Sequence, residues 1–386
     1  MRLGALEMLE RLLMSRFRRI AVLAAALVLA GCFGSSRKPP DPLPTSTGGV
    51  RVSQLWRVSL DGDSGIGFAP VAIGDSVWAA SKKGVLTRVD IDTGRERWRT
   101  LTGKTLTAGV GTDGLVSVVA TLEGEIIAYD IDGKFKWSAQ IGAEIVTPPA
   151  VADGTVLLRT TDNRVLAFDS DTGNRRWTFQ RQNPPLVLRQ SGGVAMVPAL
   201  GFIGMPGGRL VALGLTSGSP RWDVPLAQPR GATELERMAD VVGTPLVIGQ
   251  ELCAATYQGR VGCLNAASGE PIWTKDFSSA VGLDVDKLGV VLPDADDIVH
   301  AFDRTGAPVW QQKGLARRRL SAPLIAARSV AFGDFQGNVL WLSRDDGTLS
   351  AVSTTDGKAI VAPPAGVGSI LVVQTSGGTL HAFRVE

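Results

Sequence analysis

The chain has 386 residues, 44% of them hydrophobic, with 46 glycines, 9 tryptophans, 3 cysteines and 2 histidines. That hydrophobic content excludes a disordered chain, three cysteines exclude a disulfide-dense scaffold, and two histidines leave little for histidine-based metal chemistry. The formal charge is +3, but residues 1–31 hold five of the 40 basic and two of the 37 acidic residues, so the remainder is neutral and no nucleic-acid partner is expected.

Arg16, Arg18 and Arg19 precede an apolar run over residues 20–30. The run is about half the ~20 residues that a membrane-spanning helix needs, and its basic lead and small-residue end describe an export signal. The signal also reads naturally from Met14. It ends Leu29-Ala30-Gly31-Cys32, which resembles a bacterial lipobox. That resemblance implies a lipoprotein signal peptide over 1–31, with Cys32 acylated as the mature N-terminus. In lipoproteins an Asp after the lipidated Cys often marks inner-membrane retention. Phe33 stands there instead, which points to the outer membrane. Residues 32–50 are rich in Pro, Ser and Gly and show no apolar period, so a flexible tether is expected.

From residue 51 to 386 the chain repeats itself. Gly84 to Trp98, Gly124 to Trp137 and Asn163 to Trp177 share one frame: a short apolar strand, an Asp-started turn, a Gly, and a Trp four residues later. Trp56, Trp98, Trp137, Trp177, Trp222, Trp273 and Trp310 are spaced by 42, 39, 40, 45, 51 and 37 residues. A period near 40 with several short strands reads as an all-β propeller of four-stranded antiparallel blades. The frame puts an eighth Trp slot at Ala351, and a further strand set ends the chain at Phe383 without a Trp strand. The segment around Trp56 supplies the missing strand, so the expectation is eight blades, with the ring closed by pairing the N-terminal strand to the last blade. In the seventh unit Trp341 fills the slot that is small elsewhere while Ala351 fills the Trp slot. A volume-conserving exchange is expected, with Trp341 buried.

The Ala-x-Asp-x-x-Thr-Gly-x-x-x-Trp frame resembles the docking motif of pyrroloquinoline-quinone (PQQ) enzyme propellers. Together with the lipobox, it makes the whole chain similar to the BamB family, lipoprotein subunits of the β-barrel assembly machinery of Gram-negative outer membranes. Two segments add to this: Pro185-Leu186-Val187-Leu188-Arg189, which looks like the family's Leu-x-Leu-Arg stretch, and residues 231–245, which look like its linker before a blade. The resemblance implies a non-enzymatic scaffold on the periplasmic face of the outer membrane. Its implied partners are the POTRA domains of BamA, the rest of that complex and nascent outer-membrane proteins. It needs no cofactor. It also implies that Leu186, Leu188, Arg189 and Asp240 touch BamA. The family often carries a second acid where Val242 stands here.

The residues themselves add some support. The two longest Trp spacings contain these segments, and extra length in a repeat maps to loops. Thr233 and Glu236 have capping-box spacing and announce a short helix. Leu186 and Leu188 read either as interface anchors or as alternating core positions. Another periplasmic binding propeller and a PQQ-dependent dehydrogenase are the rival functions. The latter needs a cofactor pocket, for which there is little insertion length. His300 and His381 occupy equivalent positions in separate units and read as strand residues. Cys253 and Cys263 flank one hairpin turn. Either they form a disulfide, which needs a three-residue loop or a bulge, or Cys263 simply fills a small buried slot.

Overall fold

The computed structural model describes residues 39–182, 186–188 and 192–386. Cys32 and Arg189 lie outside them. The described residues form strands and turns, arranged as eight four-stranded antiparallel sheets. In chain order these are blades 1 (71–101), 2 (106–140), 3 (150–180), 4 (194–225), 5 (241–277), 6 (284–312) and 7 (324–354), and blade 8, which combines 365–385 with 52–59.

Each blade runs from an inner strand to an outer one. The inner strands of neighbouring blades lie side by side around the whole ring, with that of blade 8 beside that of blade 1. The second strand of each blade is an apolar run: Ser76–Ala80, Ser117–Thr121 and Thr155–Arg159 are buried at every position. This is the pattern of strands covered on both faces, here by the two adjacent blades. Outer strands such as Arg175–Gln180 alternate between exposed and partly buried residues. Tight turns join the strands. Asp153 and Gly154 both take positive φ, as a two-residue hairpin requires.

The repeated tryptophans join one blade to the next. Trp56 lies on Gly94 of blade 1, where φ is 68° and an added Cβ would sit 2.6 Å from the indole. The contact recurs for Trp98, Trp137, Trp177, Trp222, Trp273 and Trp310 on the turn glycines of blades 2 to 7. In six of the seven the indole N–H also donates to a carbonyl of that turn, at 2.7–3.0 Å. Trp273 rests on Gly306 without that bond.

Ring closure explains the missing Trp. Strand Val52–Ser59 pairs antiparallel with Thr379–Val385, placing Trp56 opposite Ala382. The fourth strand of blade 8 comes from residues 52–59 and its third from residues 379–385, so no turn joins them. The Trp slot at 351 therefore has no third-to-fourth-strand turn to face. Trp341 instead faces blade 8 from the third strand, opposite Ala351, and meets Phe383 edge-on at 6.3 Å. It is fully buried, so the exchange of large and small residues holds.

The expected tether is not free along its whole length. From Asp41 to Val50 the chain is held as a strap along the ring. Arg317 pairs with the Asp41 carboxylate at 2.8 Å and Arg318 donates to its carbonyl at 2.8 Å. Leu43 packs into the core between blades 6 and 7, and the Thr47 and Gly48 N–H groups donate to carbonyls of Leu349 and Ser350. Burial of Leu43 and these hydrogen bonds offset the entropy that a free tether would keep.

Candidate partner-binding face

The two longest connections between blades run over 181–193 and 226–240. They emerge on the face that also carries the hairpins between second and third strands. One carboxylate ties them together. Asp240 Oδ2 accepts the Leu188 N–H at 2.6 Å, and Oδ1 accepts the Gly207 N–H of the blade 4 hairpin at 2.9 Å. The Asp240 carbonyl accepts the Tyr257 N–H of the blade 5 hairpin at 2.8 Å. Asp240 is 1% exposed. Its carboxylate is therefore bonded inside the molecule, as a buried carboxylate needs internal donors. It sets the position of the loop that carries the leucines.

The leucines divide accordingly. Leu186 is 42% exposed, whereas Leu188 is half-buried against Val242, Cys253 and their cluster. The core reading therefore holds for Leu188 and not for Leu186. Beyond the undescribed residues the connection is stitched to blade 5, with Gly192 N–H on the Val241 carbonyl and Gly193 N–H on that of Gly243. Buried Arg159 donates to the carbonyls of Gly192 and Gly204, and burial pulls its guanidinium down to about 10, opposed by the charge of Asp240.

In the second connection the capping box forms but no helix follows. Glu236 N–H donates to Thr233 Oγ1, and the Ala232 and Thr233 N–H groups donate to Glu236 Oε2 at 2.8 and 3.1 Å. The box closes a single turn, because Met238, Ala239 and Asp240 are drawn into the interior immediately afterwards. Leu235, 62% exposed at its crest, escaped the sequence reading. An isolated Leu in a polar turn was the only signal.

Beneath this face Cys253 and Cys263 form a disulfide across the blade 5 hairpin. Cys253 lies directly opposite Cys263, and the five residues 256–260 beyond the last pair, Ala255 with Val261, make a turn of odd length as the bridge requires. The histidines do not converge. His300 bonds Asp294 at 2.9 Å and packs edge-on against Phe277. His381 bonds Gln54 across the closing strand pair, and burial pulls its pKa down.

The family model described as outer membrane protein assembly factor BamB matches residues 82–312. A Burkholderia pseudomallei protein of that name is 42% identical over 95% of this chain and 97% of its own length. The chain belongs to the BamB family of outer membrane protein assembly factors. The crystal structure of BamB from Moraxella catarrhalis superposes with a TM-score of 0.80 at 25% identity, over 86% of this chain and all of that one. A quinohemoprotein alcohol dehydrogenase from Pseudomonas putida reaches a TM-score of 0.68 at 14% identity, over 86% of this chain and 76% of its own. That likeness is one of fold alone. The chain is an assembly factor and not an enzyme, so the dehydrogenase reading falls.

Proposed function

We propose that this protein is a scaffold that binds the POTRA domains of BamA through the face that carries Leu186, Leu188 and residues 226–240. A lipid on Cys32 holds it to the outer membrane on the periplasmic side. The observation that supports this face is the shared anchor at Asp240. It brings the two longest connections of the ring into one patch and leaves Leu186 and Leu235 presented to solvent. Aliphatic groups held on a rigid support lose little entropy on binding, which suits an interface anchor. Arg189, next in sequence, adds a cation to the same loop.

Co-purification from detergent-solubilised membranes tests the reading. Leu186→Asp is expected to lose BamA while keeping the wild-type melting temperature, because its side chain packs outward. Asp240→Ala is expected to lose BamA as well, but with a fold about 2–5 kcal/mol less stable, because two buried N–H groups are stranded. Undiminished recovery of BamA with Leu186→Asp would remove this face from the interface.

A further inference from the structure

Next to this face two arginines share one acid. Arg209 Nε donates to Asp223 Oδ1 at 2.7 Å and its Nη2 to the Asp223 carbonyl at 2.8 Å. Arg181 pairs with the other oxygen of the same carboxylate. The cluster keeps one positive charge in excess. It lines a cleft of about 660 Å³ walled by Gln180, Gln182, Gly207 and Pro229. Both guanidiniums are only about a third exposed. Burial and the neighbouring Arg181 charge push Arg209 below the usual guanidinium range, as expected of two cations held close together.

We infer that this cleft is a receptor for an acidic side chain of the protein partner, so that the partner surface pairs an apolar patch for Leu186 with a carboxylate for Arg181 and Arg209. The inference rests on the scaffold reading above. Three observations carry it. The guanidinium forks are planar and matched to a carboxylate, and Asp223 shows both already aimed at one. The cleft is continuous with the proposed interface, since Gly207 lines it and also donates to Asp240, which holds Leu188. Pro229, which also lines it, belongs to the same connection as Leu235. A membrane-facing site would instead present a run of unneutralised cations to lipid headgroups. Here a single excess charge sits in an open cleft beside exposed aliphatic groups, which is the make-up of a protein interface.

The test uses the full chain and detergent-solubilised BamA, with affinity measured at rising salt. Two variants are compared, Arg181→Gln/Arg209→Gln and the same pair with Asp223→Asn. The triple variant leaves no stranded acid, so its melting temperature is expected to match wild type. Both are expected to bind BamA at least about tenfold more weakly at low salt, with a flatter salt dependence. Unchanged affinity of the triple variant, with wild type binding, overturns the cleft and leaves the scaffold reading standing. A wild-type chain that does not bind BamA overturns the scaffold reading and the cleft with it. Phosphatidylglycerol vesicles form the second arm. If the triple variant loses binding to vesicles but keeps binding to BamA, the cleft belongs to lipid and the inference is wrong.

Discussion

One methyl group at Gly94 is expected to cost more than its size suggests. It would sit 2.6 Å from the Trp56 ring on a residue at φ 68°, so it meets both overpacking and backbone strain. Gly94→Ala is expected to lower stability by about 2–4 kcal/mol, read as a shift of the urea midpoint at constant slope. The acid that opens the same turn gives a pH signature. The ion pair with Arg97, then the Thr93 hydroxyl, hold the Asp90 carboxyl down to about 2, and Arg176 depresses Asp169 in the same way. A carboxyl lowered by folding contributes stability above its unfolded pKa of about 3.9 and loses that contribution as pH falls through the folded value. The fold is therefore expected to weaken progressively between about pH 4 and pH 2. Asp90→Asn should show a smaller loss over that window in thermal melts taken at each pH. At this scale the tryptophans were legible, because one residue type recurs at one offset from a glycine. The inward turn of Asp240 was not, since the family motif gives an acid without saying which way it faces. Its apolar neighbours Met238, Ala239 and Val241 were the clue in the sequence.

Strands were readable from their apolar runs and turn residues, but connections were not. The run from Asp41 to Gly48 has the composition of a linker, and its hold on the ring comes from Leu43 and from arginines far away in sequence. Composition reports what a segment is able to do alone, and it is blind to a groove prepared by blades 6 and 7. Likewise the capping box was legible while the missing helix was not, because the interior claims the chain three residues later. Leu43→Asp is expected to free the strap. Amide hydrogen exchange at Thr47 and Gly48 should then rise toward that of an unstructured chain, with exchange in the second strands of all blades unchanged. Retained protection at those two amides would show that Leu43 is not what holds it.

Across the whole molecule, the number of blades and the manner of closure followed from counting tryptophans and from the lone Trp strand at the start. The make-up of the proposed face did not, since it depends on buried carbonyls and a carboxylate that no repeat frame displays. Seven joints between blades share one Trp–Gly lock and the eighth, between blades 7 and 8, uses Trp341, Phe383 and the strap. That arrangement decides how the ring carries mechanical load. A force applied at the N-terminus reaches the Asp41 clamp and the Leu43 socket before it reaches the strand pair that closes the circle. The strap thus acts as a strain relief, like the knot that keeps a pulled cable from straining its connector. Single-molecule stretching from residue 39 is expected to give a small early release as the strap peels, followed by opening of the ring at higher force. One rupture without the early step would mean that the closing strand pair bears the load directly.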